Sequence, residues 1–123
     1  MMKYFEWVKA LSNIYLEDSY VLEIREYGCA LEFEMEFVLL EKHPFYSKPH
    51  DNEMHCYREG LIRLKNCRKI EWEHRAHTQK SPFSNNDFGN IDVFYKDQNQ
   101  IRIEGDWGKV CVITDEVSLY LQV

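Results

Sequence analysis

From Cys29 to Leu40 the chain alternates strictly: Leu31, Phe33, Met35, Phe37 and Leu39 are apolar, with Glu32, Glu34 and Glu36 between them. Side chains on a β-strand point to opposite faces with a period of two, so the spacing predicts a strand with one dry and one acidic face. Tyr20 to Arg25 predicts the preceding strand, and Glu26-Tyr27-Gly28 a tight reversal that makes the two antiparallel. The opening segment keeps a different rhythm. Tyr4, Trp7, Val8 and Leu11 stand at the i, i+3, i+4, i+7 spacing of one helical face, which predicts a short helix ending near Ser12-Asn13 and covering one face or open end of a sheet.

The pattern vanishes between 41 and 55, where Pro44 and Pro49 mark a long loop. Cys56-Tyr57-Arg58 and Leu61 to Lys65 then flank Glu59-Gly60, which predicts a hairpin around Gly60. Arg68 to His74 alternates again, with Ile70, Trp72 and His74 on one side. A second irregular stretch, 76–90, contains Ser81-Pro82 and the turn-rich Asn85-Asn86-Asp87. The remainder predicts a meander of four strands, 91–96, 100–105, 109–114 and 117–123. Turns this short force antiparallel neighbours. Val110 to Ile113 is apolar on both faces, as in a central or doubly covered strand. Eight to nine strands and one short N-terminal helix predict a mostly all-β single domain, 1–123, built as an antiparallel β-sandwich or flattened barrel.

Composition supports a self-sufficient core, since 45% of residues are hydrophobic and 15% aromatic. Lys3, Glu6 and Lys9 interrupt any secretory hydrophobic region, and no window approaches the ~20 apolar residues of a membrane span. The expectation is a cytoplasmic protein without a membrane partner. Cys29, Cys56, Cys67 and Cys111 form no Cys-x-x-Cys pair, so reduced thiols are expected, with Cys29 and Cys111 acting as small strand hydrophobes. The net charge of −6 repels phosphate backbones. The best basic cluster, Arg63, Lys65, Arg68 and Lys69, is interrupted and followed by Glu71 and Glu73, so no nucleic-acid partner is expected.

Several constellations invite chemistry. His43, His50, His55 and Cys56 crowd the first loop, with His74 or His77 as remote companions. Their spacing matches no standard zinc pattern, and neighbours at 55 and 56 point apart in an extended chain, so neither a metal nor a cofactor is expected. His74, at a strand end, reads as packed or hydrogen-bonded in preference to a catalytic base. Cys56 has no predicted helix terminus to activate it. Glu32, Glu34 and Glu36 lie about 7 Å apart, near glycosidase spacing, but regular alternation suits the solvated side of a sheet, where a carboxylate has no reason to shift its pKa. No catalytic residue is assigned. Trp107, in Glu104-Gly105-Asp106-Trp107-Gly108, either plugs an open end of the sandwich or stands outward as a binding anchor.

Further strings are distinctive: Leu16-Glu17-Asp18-Ser19-Tyr20-Val21, His43-Pro44, His55-Cys56-Tyr57-Arg58-Glu59-Gly60, Glu71-Trp72 and Gly89-Asn90-Ile91-Asp92. With these and the Trp107 hairpin, the chain resembles a group of small, functionally unassigned bacterial β-rich proteins over most of its length after residue 15. That resemblance implies no activity, cofactor or catalytic residue. The Asp18-Ser19-Tyr20-Val21 opening and the Gly105-Asp106-Trp107-Gly108 hairpin are also similar to β-rich immunity proteins that protect bacteria from secreted toxins, which implies stoichiometric binding of a basic protein by an acidic surface. The expected function is therefore a non-catalytic protein-binding module, with a basic partner or self-association, and with Glu32, Glu34, Glu36, Tyr57, Arg58 and Trp107 as candidate binding residues. The alternative is a small-ligand or metal-dependent enzyme with a pocket under the 41–55 and 76–90 loops, holding His55, Arg58 and His74.

Overall fold

The computed structural model describes residues 1–75 and 88–122. Among the described residues nine strands form two antiparallel sheets: β1 (Met2–Lys3), β2 (Tyr20–Tyr27), β3 (Ala30–Leu39), β4 (Cys56–Lys65), β5 (Lys69–Arg75), β6 (Val93–Asp97), β7 (Gln100–Gly105), β8 (Gly108–Ile113) and β9 (Glu116–Leu121). One sheet runs β1-β6-β7-β8-β5 and the other β2-β3-β4-β9, so the molecule is an open sandwich and not a closed barrel. The alternation in β3 determines how they meet. Leu31, Phe33, Met35, Phe37 and Leu39 are buried on one face, with Ile62 and Leu64 of β4 beside them. The opposing sheet supplies Phe94, Ile101, Ile103, Val110 and Val112. Fully burying one such side chain contributes about 1.5–3 kcal/mol, so this seam dominates the stability.

The sequence reading needs correction in several places. The N-terminal helix is one turn, α1 (Tyr4–Trp7); Val8 is extended and a 3-10 turn, Lys9–Leu11, follows. The buried Tyr4 hydroxyl ties this turn to the segment that follows: it lies 3.0 Å from the Ile14 carbonyl and accepts the Leu16 N–H at 3.2 Å. The segment becomes a strap from β6, where Trp7 and Tyr4 pack on Phe94, to the end of β3, where Ile14 bridges Leu39.

No hairpin forms at Gly60. Cys56–Lys65 is one strand in which Gly60 pairs with both Met35 and Leu121. A Cβ at Gly60 would collide with the Tyr120 carbonyl oxygen, so glycine is present for close strand approach and not for a turn. The meander also ends one strand early. β9 leaves β8 and pairs with β4 in the other sheet, the corner being tied by buried Thr114, whose hydroxyl bonds the Lys65 carbonyl and accepts the Glu116 N–H. In β5 the register shifts between Trp72 and His74, so His74 leaves the Ile70–Trp72 side and is exposed opposite Lys109. Cys29 lies exposed in the β2–β3 turn, whereas Cys111 is half-buried in β8. The stretch 76–87, with His77, Ser81-Pro82 and Asn85-Asn86-Asp87, falls outside the described residues, as does the last residue of the predicted 117–123 strand. No helix among the described residues is long and apolar enough to cross a membrane.

Gly60→Ala should therefore cost about 1–3 kcal/mol of stability in urea denaturation, and the β9 amides should lose hydrogen-exchange protection first. Unchanged stability would show that β4 and β9 do not approach as described.

Candidate functional site

The outer face of the four-stranded sheet carries most of the charged and aromatic groups singled out above. Register places Arg25, Glu32, Arg63 and Ser118 in one row across the strands. Glu23, Glu34, Leu61 and Tyr120 form the next, and Tyr20, Glu36 and Glu59 the next, with Tyr57 beside Val38 beyond them. A bulge between Val21 and Glu23 keeps β2 in phase with this face.

The first row is a closed ionic cluster. Glu32 is buried, with 4% of its surface exposed, contrary to the solvated carboxylate that simple alternation suggests. Tyr27 donates to Glu32 Oε2 at 2.6 Å, Arg63 Nε binds the same oxygen, and Arg25 Nε lies 3.5 Å from Oε1. Burial pushes the Glu32 pKa up, but the hydrogen bonds and positive charges of Tyr27, Arg63 and Arg25 outweigh it and hold the carboxyl below the usual range. Arg25 also donates to Glu34 at 2.9 Å, and the Arg63 guanidinium stacks 5.2 Å from the Tyr120 ring. Glu32 therefore locks three strands together and is not available to a partner.

The other end of the face is different. Tyr57 stands half-buried with its ring 6.3 Å from Tyr20 and 6.0 Å, edge-on, from His55, which in turn lies 3.3 Å from Asp18. Beside it is an open recess of about 410 Å³ lined by Glu36, Ser47, Lys48, His50, Glu53 and Tyr57. Burial raises the Tyr57 pKa, and Tyr20, Glu36, Asp18 and Glu53 raise it further, which is the signature of a negative local field. An aromatic wall in a negative recess fits an ammonium or guanidinium on an apolar stem.

The remaining candidates are dispersed. Arg58 neighbours Tyr57 in sequence but lies in the Phe37 row; it donates to the Gln122 carbonyl at 2.6 Å and stacks on Phe45. Trp107 is buried, so it serves as a plug and not as an exposed anchor. Its ring packs 5.1 Å from Phe33 and edge-on to Trp72, and its Nε1 donates to the Asn90 carbonyl at 3.0 Å. Gly105 lacks a Cβ because that ring lies over it. His55, Arg58 and His74 do not converge, since His55 engages Asp18, Arg58 engages Gln122, and His74 belongs to the other sheet. Cys56 is buried with its sulfur against Ser47, and His43 Nδ1 accepts the Phe45 N–H. Among the described residues no group of three or more His, Cys, Asp or Glu could hold a metal ion. The basic cluster is also dispersed: Arg63 bonds Glu32, Arg68 lies 3.7 Å from Asp115 and Lys69 2.8 Å from Glu71.

Sequence reasoning missed Asp18, Tyr20, His50 and Glu53 as neighbours of Tyr57. The hairpin phase alone would set Tyr20 opposite Phe37, since only the bulge at Val21/Glu23 brings it to Glu36, and the loop residues left no periodic signal. No protein-family model, curated protein or solved structure gives a match to this chain.

The Glu32 cluster predicts a particular acid response. Its folded pKa lies below the unfolded carboxylate value, so its stabilisation is complete above the ordinary carboxylate range and is lost as pH falls through the folded value. Glu32→Gln should lower the urea midpoint at neutral pH and shrink this difference in acid; equal losses at both pH values would contradict the assignment.

Proposed function

We propose that the protein is a non-catalytic binding module whose recess around Tyr57 receives a basic side chain from a partner protein. The observation that carries this reading is the open recess that Glu36 and Glu53 share with the half-buried Tyr57 ring. Glu34 and Glu59 extend the acidic field along the same face, which favours fast encounter with a positively charged surface. Glu32 ties the strands of the face together, Tyr57 forms the wall of the recess, and Arg58 and Trp107 belong to the framework. A stoichiometric role against a basic toxin, as in the immunity proteins that the sequence resembles, is the form of binding that this charge distribution suits, and a cytoplasmic setting is part of the same proposal.

Capture from the source cells with the wild-type protein, followed by calorimetry with the isolated partner, tests the reading. The expected result is a one-to-one complex with a basic protein that weakens with salt and loses about tenfold or more in affinity in a Glu36→Lys/Glu53→Lys variant. A specific partner held with unchanged affinity by that variant would overturn the proposal.

A further inference from the structure

An exposed sheet edge is a row of unsatisfied backbone donors and acceptors, and folded proteins usually blunt it. Three of the four edges here are blunted. β1 has only two residues, and α1 continues its cover of β6 through Tyr4 and Trp7 on Phe94. β2 is bulged at Val21/Glu23, and its Val21 exchanges hydrogen bonds with Phe88 and Gly89. β5 is bulged at Trp72/His74 and carries Lys69, Glu71, Glu73 and Arg75.

The fourth edge, β9, carries no bulge, although the Lys9–Leu11 turn packs near it on the groove side. Its sequence is Glu116-Val117-Ser118-Leu119-Tyr120-Leu121, with no proline or lysine, and its register against β4 is unbroken. The Gln122 N–H donates to the Glu59 carbonyl at 2.9 Å, so by alternation the backbones of Ser118 and Tyr120 face β4 while those of Val117, Leu119 and Leu121 face away. Among the described residues no strand pairs with that side. Leu119 and Leu121 also line an open groove of about 510 Å³ with Pro44 and the exposed Phe45.

We propose that β9 pairs antiparallel with β9 of a second copy about a two-fold axis at Leu119, joining the two four-stranded sheets into one of eight strands. This register uses all three outward-facing residues: Leu119 meets Leu119 of the other copy, and Val117 meets Leu121. Charge favours a second copy over another occupant. Arg25, Arg63 and Lys65 cluster toward the Glu116 end of the outer face, whereas Glu23, Glu34, Glu36 and Glu59 lie toward the Leu121 end. Glu32 and Glu116 are the acids at the basic end; Glu32 is held within the Arg25–Arg63 cluster and Glu116 is bonded by the Asn66 side chain, so a net positive charge remains there. An antiparallel two-fold pairing places the basic end of each copy beside the acidic end of the other, and the half-buried Val117, Leu119 and Leu121 of both copies close over the groove. The dimer does not depend on the Tyr57 recess, so either proposal can fail alone.

Sedimentation across a wide concentration range, combined with amide exchange, decides it. The expected result is a reversible monomer–dimer equilibrium in which the Val117, Leu119 and Leu121 amides gain protection with concentration while Ser118 and Tyr120 stay protected throughout. Val117→Pro removes an outward N–H and no intrachain hydrogen bond, and Tyr120→Lys places an ammonium near the partner's basic end. Each should weaken the dimer about tenfold or more, with the fold verified by circular dichroism, while Met54→Lys, on a fully exposed loop residue, should not. If Val117→Pro does not fold, Tyr120→Lys and the wild-type exchange pattern still decide. A protein monomeric at every concentration, a dimer that survives the folded edge variants, or a dimer whose three outward amides stay unprotected would each overturn the proposal.

Discussion

A strand has only two faces, and burying one commits the other. In β3 the five apolar residues from Leu31 to Leu39 form the deepest part of the sandwich, and with their burial Glu32, Glu34 and Glu36 must all emerge on the far side. A one-residue slip would exchange the two sets, placing three carboxylates in the core. The register with β2 and β4 is therefore strongly specified. It brings Arg25 and Arg63 to either side of Glu32, and it brings Tyr20 and Tyr57 to the same end as Glu36.

The consequence is a face with two chemically distinct halves. Around Glu32, opposite charges lie close enough to satisfy one another, and Tyr27 completes the coordination of the carboxylate. Around Tyr57 the acids Glu36 and Glu53 stand with Lys48, and the loop 47–53 rises beside them to make a recess. The two halves lie on the same strands, so the ionic half can position the Tyr57 half without a separate scaffold. A site carried on sheet residues is also held more rigidly than one carried on loops alone.

Local pattern made much of this fold legible. The β3 alternation marks its strand to within a residue, and the Gln100–Gly105 strand and the turn at Asp106-Trp107 also follow from sequence. What was not legible depends on contacts between distant residues. Gly60 resembles a turn glycine until Tyr120 is seen behind it, and only the β4 neighbour reveals that β9 changes sheets. The Tyr4 to Leu11 spacing predicts one helix, yet an extended Val8 splits it into two short turns that still bury Tyr4, Val8 and Leu11. The single-residue phase changes in β2 and β5 have no local marker, and the second moves His74 off its expected side. The candidate site was half visible: Glu36 and Tyr57 belong to periodic strands, whereas Asp18, His50 and Glu53 arrive from irregular backbone.

The crossing from β8 to β9 also bears on how the chain matures. Every β4–β9 pair joins residues more than fifty positions apart, from Lys65 with Glu116 to Gly60 with Leu121. During synthesis β2, β3 and β4 can associate early, but β4 stays an open template until β9 has left the ribosome. High contact order of this kind slows folding and prolongs exposure of unpaired strands. The nascent three-stranded sheet thus keeps its β4 edge open, and closing that edge depends on the arrival of one short segment.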